Sequence, residues 1–375
     1  MSICGIIAEY NPFHTGHIHQ IEETKRQCPA DVYIAVMSGN FVQRGEPAVI
    51  DKWARARAAV QNGIDVVIEL PYIYAVQGAS GFAHGAVTFL KNAGIDYLSF
   101  GSECGNLENL KEISETPVNP DHIKTAMAEG MSYPKAYSLL TGSMAPNDIL
   151  AVAYLRETAG TKITPVLIPR TSAYLDETMH DMPSALAIRK ALKEKKDISP
   201  ATPLAEEMYQ YDVPWMEKYY PYLRTFLLTS SKEHLNRMFL INEGIENMMV
   251  KKAAEHDNWE GFLNSCITHR YTASRIRRSV LSLLNQVTKE EVQRLSEPDF
   301  IRVLAFNDTG RKWLHDCRKK EEMHLCARFA AVPYLWRKLE YRTTLLYTSV
   351  MNEEQRRHVL QEEIEGAQYV PSEHE

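Results

Sequence analysis

The chain has 375 residues, 6 cysteines and 42 Lys and Arg against 48 Asp and Glu, for a formal net charge of −6. At 45% hydrophobic and 24% charged residues its composition is that of a globular protein of about two or three domains, which excludes a disordered chain, a collagen-like fibre and a small disulfide scaffold. Taken globally, the acidic balance also argues against nucleic acid, because polyanion-binding domains are usually basic.

Along the chain, the apolar run Ile3-Cys4-Gly5-Ile6-Ile7-Ala8 reads as a buried strand, followed by a turn and a helix from about Gly16 to Cys28. A second strand covers residues 32–37, and a helix begins beyond Asp51, placed as its N-cap before Lys52-Trp53-Ala54-Arg55. Residues 66–68 and 97–100 give two more strands, each preceded by Gly-Ile-Asp. The stretch from Leu70 to Leu90 is 21 residues without Asp, Glu, Lys or Arg, long enough to test as a membrane span. It holds Pro71, Gln77, His84 and three glycines, and so reads as a buried, substrate-lining stretch. A fifth strand, residues 164–168, follows a helix starting near Asn147, and Pro165 marks it as an edge strand or as lying at a strand's start.

After about residue 195 the β pattern fades. Ser199-Pro200-Ala201-Thr202-Pro203 reads as a boundary, and beyond it lie helical periods around residues 223–228, 235–249 and 274–284, then a charged tail from about Asn352. Continuous apolar strands separated by helices mean a parallel sheet covered on both faces. The expected fold is α/β: a Rossmann-like parallel sheet in residues 1–195, followed by a mostly α-helical domain in residues 196–375. The cysteines form no C-x-x-C pair and the N-terminus lacks a basic signal region, so the expectation is a cytoplasmic protein with free thiols, no membrane span and no zinc site. In such sheets ligands bind beyond the carboxyl ends of the strands. There the sequence places polar loops around Glu9, Ser38, Glu69, Gly101 and Arg170.

The sharpest of these loops is Glu9-Tyr10-Asn11-Pro12-Phe13-His14-Thr15-Gly16-His17. Two histidines flank a glycine at a helix start, where free N–H groups and the positive dipole end attract anions. Gly16 would let backbone approach a phosphate, and the imidazoles can donate to oxygens that gain charge in a phosphoryl transition state. The same pair could bind zinc or merely cap the helix; the strand-turn-helix setting favours a nucleotide.

These residues resemble the HxGH motif of the nucleotidyltransferase superfamily, G-T-F-D-P-x-H-x-G-H. Pro12, His14, Gly16 and His17 match it, while Tyr10 and Asn11 replace Phe and Asp. Met182-Pro183-Ser184-Ala185-Leu186-Ala187-Ile188-Arg189 is similar to the superfamily's I-S-S-T-x-I-R element. Ser184, Ile188 and Arg189 match; Ala185 and Leu186 depart, leaving Ser184 as the hydroxyl available to a phosphate there. Residues 8–14, together with residues 38–48 running into Asp51-Lys52-Trp53-Ala54-Arg55, resemble the tRNA(Met) cytidine acetate ligase family over most of the chain. Asn147-Asp148 departs from the family's Asn-Asn, and Arg170-Thr171-Ser172-Ala173-Tyr174 from a more glycine-rich turn.

The resemblance implies an ATP-dependent ligase that makes acetyl-adenylate and transfers acetyl to N4 of the wobble cytidine of elongator tRNA(Met). It implies that His14 and His17 stabilise the α-phosphate transition state. The ATP cradle would be Ile7, Ala8, Glu9, Tyr10, Asn11, Pro12, Phe13, His14, Thr15, Gly16, His17, Ile18, His19 and Gln20. Gly101 would contact adenosine, and Asn147, Arg170, Ser184 and Arg189 would add nucleotide contacts. Ser38, Asn40, Gln43, Arg44 and Lys52 would lie near acetate or the incoming cytidine, with Ser38, Asn40, Arg44 and Lys52 as catalytic candidates. Arg170 could instead pair with Asp176 or Glu177, and Arg44 could close a loop through Glu46. Mg2+ is expected with ATP, held by phosphates and water with no metal ligands from the protein. No P-loop, no partnered cysteine nucleophile and no obligate protein partner is evident.

Residues 267–320 hold 12 basic and 6 acidic residues, a net +6 inside an otherwise acidic chain. A local cationic band of this kind reopens nucleic-acid binding. Arg270, Arg275, Arg277 and Arg278 crowd one stretch without an acid, and Arg311-Lys312-Trp313 adds basic and aromatic character. Charge runs also suit a solvated helix face. Arg270-Tyr271-Thr272, Arg275-Ile276-Arg277-Arg278, Phe306-Asn307 and Gly310-Arg311 are similar to the family's C-terminal region, which implies tRNA binding by Arg270, Arg275, Arg277, Arg278, Arg311 and Lys312. Two alternatives share the HxGH element: a small-molecule nucleotidyltransferase or carboxylate-activating synthetase, and a non-catalytic nucleotide-responsive RNA-binding protein. The 38–52 loop and the extra helical half favour the ligase over the first, and the intact histidine pair speaks against the second.

Overall fold

In the computed structural model, β1 (Ile3–Ala8) and β2 (Val32–Ser38) pair in parallel. Successive strand side chains point to opposite faces, so Val32, Ile34 and Val36 enter one hydrophobic core while Tyr33, Ala35 and Met37 enter the other. The structure describes residues 1–117, 120–129, 131, 136, 138–139, 142–170, 178–179, 182–320 and 324–371. A hairpin of β3 (Phe41–Val42) and β4 (Glu46–Pro47) interrupts the crossover from β2, after which β5 (Val66–Leu70), β6 (Tyr97–Ser102) and β7 (Thr164–Pro169) join in parallel. Helices α1 (Thr15–Gln27), α2 (Lys52–Gln61) and α5 (Ala185–Lys193) cover one face, and α3 (Ala79–Asn92) and α4 (Pro146–Thr158) the other.

Local chemistry explains the start of several elements. Asp51 caps α2 through Oδ1, which accepts from the N–H groups of Trp53 (2.9 Å) and Ala54 (3.0 Å). The repeated Gly-Ile-Asp also gains a reason. The Asp65 carboxylate accepts Tyr33 N–H at 2.8 Å and the Asp96 carboxylate accepts Ile3 N–H at 2.9 Å, so each aspartate ties down the start of the neighbouring strand.

The mixed α/β class with a mostly parallel sheet and many helices is as expected, but three details differ. Strand signals do not end near residue 195. β8 (Phe300–Phe306) pairs antiparallel with β5, with β9 (His324–Cys326) and β10 (Gln368–Tyr369) beside it. The full path is β10-β8-β5-β2-β1-β6-β7. β7 is the edge strand its proline suggested.

Second, residues 199–203 pack against the signature loop: Thr202 Oγ1 donates to the Phe13 carbonyl at 2.6 Å and Thr15 N–H donates to the Ala201 carbonyl at 2.9 Å. Third, the 235–249 helical period is broken where Leu240, Glu243 and Gly244 take positive φ, so the second half runs as α6 (Met216–Thr229), α7 (Ile245–Glu255), α8 (Trp259–Cys266), α9 (Ala273–Leu284), α10 (Asp308–Lys320) and α11 (Tyr334–Thr348). The charged segment beyond Asn352 forms α12 (Glu353–Ile364), capped by Asn352.

Among the described residues no helix is long and apolar enough to cross a membrane. Leu70–Leu90 instead contributes the end of β5 and most of α3, with Phe82, Val87 and Leu90 in the core. All six cysteines are free thiols.

Candidate functional site

A cleft opens beyond the carboxyl ends of β1 and β6, where loops from both halves of the parallel sheet converge. It is lined by Ile7, Ala8, Glu9, Tyr10, Asn11, His14, His17 and Gln20, by Gln43 and Arg44, by Gly101 and Asn147, and by Arg170, Ser184 and Arg189. Gly16 and His19 line an adjoining recess that shares His14, His17, Gln20, Gly101 and Arg170 with it. The cleft thus gathers most of the residues expected in the nucleotide site.

The histidine pair carries a specific electronic state. His14 is the N-cap of α1: its Nδ1 accepts Gly16 N–H at 3.0 Å, while His17 Nδ1 accepts His14 N–H at 3.2 Å. With both Nδ1 atoms used as acceptors, a neutral ring carries its proton on Nε2. Neutrality follows from electrostatics. Burial, with Arg170 and Arg189 nearby, holds His14 down to about 3, and burial with His14 and Arg170 holds His17 well below the ordinary imidazole range. The two rings lie 3.8 Å apart, with Tyr10 edge-on to His17 at 4.8 Å. Helix capping therefore does not exhaust the pair: the backbone takes both Nδ1 atoms, and Nε2–H is the donor each ring could offer a ligand. Among the described residues no group of three or more His, Cys, Asp and Glu could hold a metal.

Gly16 has a further reason beside the one its position suggested. A Cβ there would come 2.8 Å from His14 Cε1, so glycine keeps room for the capping imidazole. At Gly101 an added Cβ would meet Arg170 Cγ at 3.4 Å, tight against the arginine that shares the cleft.

Positive charge surrounds the pair. Arg189, buried on α5, donates to the Asn11 carbonyl at 2.8 Å and approaches Glu46 at 3.9 Å. Ser184 caps α5 by accepting Ala187 N–H at 3.1 Å. Asn147 is oriented by Glu103, to which its Nδ2 donates at 2.6 Å. Burial pushes the Glu9 carboxyl up while Arg44 draws it back. Tyr10 Oη and Asn11 Nδ2 are buried with no hydrogen-bond partner among the described residues, and both residues line the cleft. The residues Thr171–Tyr174, Asp176 and Glu177 lie outside the described residues.

Several expected site residues are placed elsewhere. Phe13 is fully buried in the core and Ile18 packs against it. Thr15 gives its backbone N–H to Ala201 and its buried Oγ1 finds no partner among the described residues, but it does not line the cleft, and Pro12 follows a cis peptide bond behind the lining residues. Ser38, Asn40 and Lys52 are buried and do not line the cleft. Asn40 is a brace: Oδ1 accepts Lys52 N–H at 3.1 Å and Nδ2 donates to Thr344 Oγ1 at 3.2 Å.

Lys52 belongs to a closed ionic square, with Nζ 2.5 Å from Glu69 and 2.8 Å from Glu363. Arg302 completes it, 2.8 Å from Glu69 and 2.7 Å from Glu363. Of the four catalytic candidates outside the motif, only Arg44 reaches the cleft. The cleft also takes Phe100, Leu150 and Tyr154, which the sequence did not single out, Ala185, which it marked only as a departure from the I-S-S-T-x-I-R element, and Phe82, from the 70–90 stretch it read as substrate-lining. Leu150 and Tyr154 stand three and seven residues beyond Asn147, on its helix face.

The basic residues divide in the same way. Arg270, Arg275 and Arg278 line a second cleft next to the first. Arg277 turns instead to Glu46, at 2.7 Å. Arg311 and Lys312 sit on α10, whose start packs on Asp65 at the amino end of β5: Asn307 N–H donates to the Asp65 carbonyl at 3.1 Å. That is the end of the sheet opposite the cleft, so they are not brought together with the α9 arginines.

Residues 1–363 match the family model of the HIGH nucleotidyl transferases. The tRNA(Met) cytidine acetate ligase of Geobacillus sp. (strain WCH70) is 35% identical, the match covering 97% of this chain and 98% of that one. The enzyme of the same name from Limosilactobacillus reuteri is 37% identical over 88% and 90%. Among solved structures, apo Thermotoga maritima TmcAL superposes with a TM-score of 0.89 at 29% identity over 99% of this chain and all of that one. The form bound to alpha-thio ATP gives 0.86.

Proposed function

The chain belongs to the HIGH nucleotidyl transferase family and, within it, to the tRNA(Met) cytidine acetate ligases, and from that membership we propose two steps carried out in one cleft. An acetate oxygen attacks the α-phosphorus of ATP, the bond to the bridging oxygen of pyrophosphate breaks, and acetyl-adenylate forms. The N4 amine of the wobble cytidine of elongator tRNA(Met) then attacks the acetyl carbonyl. The bond to AMP breaks, N4 loses a proton, and N4-acetylcytidine results. Acetate is a poor acyl donor until adenylation supplies the leaving group, so the protein's work is positioning and electrostatics.

The observation that carries this reading is the pair of neutral imidazoles whose Nδ1 atoms are both held by backbone N–H groups. Their Nε2–H groups donate to α-phosphate oxygens without the desolvation cost of a buried cation, and Arg170 and Arg189 supply the charge. Gly101 and Asn147 hold the adenosine side, Ser184 adds a phosphate contact, and Arg44 stands near acetate and the incoming base. Residues 1–195 hold ATP and acetate, and residues 196–375 provide most of the RNA surface. Magnesium accompanies ATP on its phosphates and water; the described residues offer it no cluster of ligands, and no step runs through it. The reaction needs no protein partner and belongs in the cytoplasm.

The test is to incubate the protein with labelled acetate, ATP and unmodified tRNA(Met), and to seek labelled N4-acetylcytidine by nucleoside mass spectrometry. Acetate-dependent AMP formation without label in tRNA would leave a carboxylate-activating synthetase in its place. Label entering RNA only from acetyl-CoA would overturn the ligase.

A further inference from the structure

The second cleft, of about 600 Å³, opens directly beside the nucleotide cleft: Gln43 and Leu150 line both. One wall is residues 77–81 at the amino end of α3, with α4 behind it; the other is the start of α9. Arg156, Arg270, Arg275 and Arg278 contribute to its lining against Glu157 and Glu243. Glu243 serves two of these arginines at once, pairing with Arg270 at 3.4 Å and lying within electrostatic reach of Arg275. Arg275 itself donates to the neutral Asn242 at 2.9 Å, so that contact does not cancel its charge. The cleft is therefore a cationic trough in a protein whose overall charge is −6.

The junction of the two clefts is rigid. Gln43 N–H donates to Glu9 at the nucleotide side (2.5 Å), and the Gln43 carbonyl accepts from Arg278 at the other (3.3 Å). Gly45 has φ +80°, and a Cβ there would stand 2.5 Å from Arg278 N. The β3–β4 hairpin thus touches α9 backbone to backbone, and that contact fixes the width of the passage.

A base that must meet an acyl-adenylate has to enter the nucleotide cleft, while the phosphates on either side of it stay outside. We propose that the second cleft holds the single-stranded RNA backbone flanking the acceptor nucleotide, with Gln43 at the throat through which the base passes. This rests on the acetyl-transfer reading above. It adds a wall the sequence did not mark for RNA, the amino end of α3 in the first half of the chain. A single strand suits the trough because such binding combines backbone electrostatics with an unstacked base.

Ser80 tests the wall. It is exposed, lines the second cleft and takes no part in the nucleotide cleft. Ser80→Glu should weaken tRNA affinity by about three- to tenfold in a filter-binding measurement, and Ser80→Lys should strengthen it with a salt slope steeper by about 0.7. Ser80→Gln should behave as the parent. Acetate-dependent ATP–pyrophosphate exchange should be unchanged in all three. A glutamate in the first turn of α3 complements the helix dipole, so a loss of affinity would not come from a loss of fold.

Equal effects from both charges, or none from either, would overturn the proposal. If the parent made acetyl-adenylate but never acetylated tRNA, while the two charges still moved affinity in opposite directions, the ligase reading would fall and the RNA trough would stand.

Discussion

The nucleotide cleft and the ionic square around Glu363 are both buried polar clusters, and the 38–52 segment sends side chains to each. In the cleft, Tyr10 Oη and Asn11 Nδ2 lack partners among the described residues and the histidines are neutral. In the square, Lys52 and Arg302 each touch both Glu69 and Glu363, and Thr344 Oγ1 donates to Glu363 at 3.0 Å. Burial is common to the two; unspent hydrogen-bonding capacity is not. A cluster that satisfies itself holds the fold, and one that waits for a partner does chemistry.

The largest effect should come from opening the square. Glu363→Ala leaves two buried cations with one carboxylate, and should cost about 3–5 kcal/mol in urea unfolding while the folded fraction keeps its acetate-dependent exchange. Unchanged stability would erase the distinction between the clusters.

Next is His17→Ala in the cleft, expected to lower that exchange by about 10²–10³-fold with a thermal midpoint close to the parent's. A collapse of the midpoint would make the histidine structural.

The third effect separates the clusters by the sign of their pH dependence. Burial, with Glu69 nearby, pushes Glu340 beside the square up to about 8. Between its ordinary 4.5 and about 8 the folded protein keeps a proton that the unfolded chain has released. Stability from this group therefore falls as pH rises through that window, by about 1.4 kcal/mol per pH unit at most. His14 works in the opposite sense. Between 6.5 and about 3 the unfolded chain binds a proton that the fold refuses, so its contribution is lost as pH falls. Denaturation series across both windows should show Glu340→Gln removing the Glu340 slope between 4.5 and about 8 and leaving the loss below 4.5 in place, since glutamine can still accept the Tyr72 N–H that Glu340 accepts at 2.8 Å.

The smallest effect is expected of Arg277→Ala. It breaks a partly exposed pair with Glu46 and should cost about 0–1 kcal/mol without moving tRNA affinity. A marked loss of affinity would return Arg277 to the RNA surface.

What could be read in the sequence was what is local. The apolar strands, the Asp51 cap and the histidine pair each declare themselves within about ten residues, and the structure places them accordingly. β8 was hidden because Arg302 sits in its middle, and a charge there reads as surface until its partners Glu69 and Glu363 are seen. Lys52 hides its long-range partners in the same way. It stands in a motif that resembles a catalytic loop, but its partner Glu363 lies 311 positions away, and no spacing rule reports such a pair. Arg277 and Arg278 are adjacent in a basic run, yet one pairs with a hairpin carboxylate and the other lines the trough.

The antiparallel pairing of β5 with β8, which sets Val67 opposite Ala305, also bears on how the chain is made. When a ribosome has delivered the first 195 residues, the signature loop, the histidines and five parallel strands are present, but the outer edge of β5 has no neighbour. An open apolar edge of this kind is a template for the wrong strand. Synthesis must run on for more than a hundred residues before the proper one arrives, so the nascent first half should depend on holdase protection. Expressed by itself, it should aggregate, even though it carries every residue that lines the first cleft.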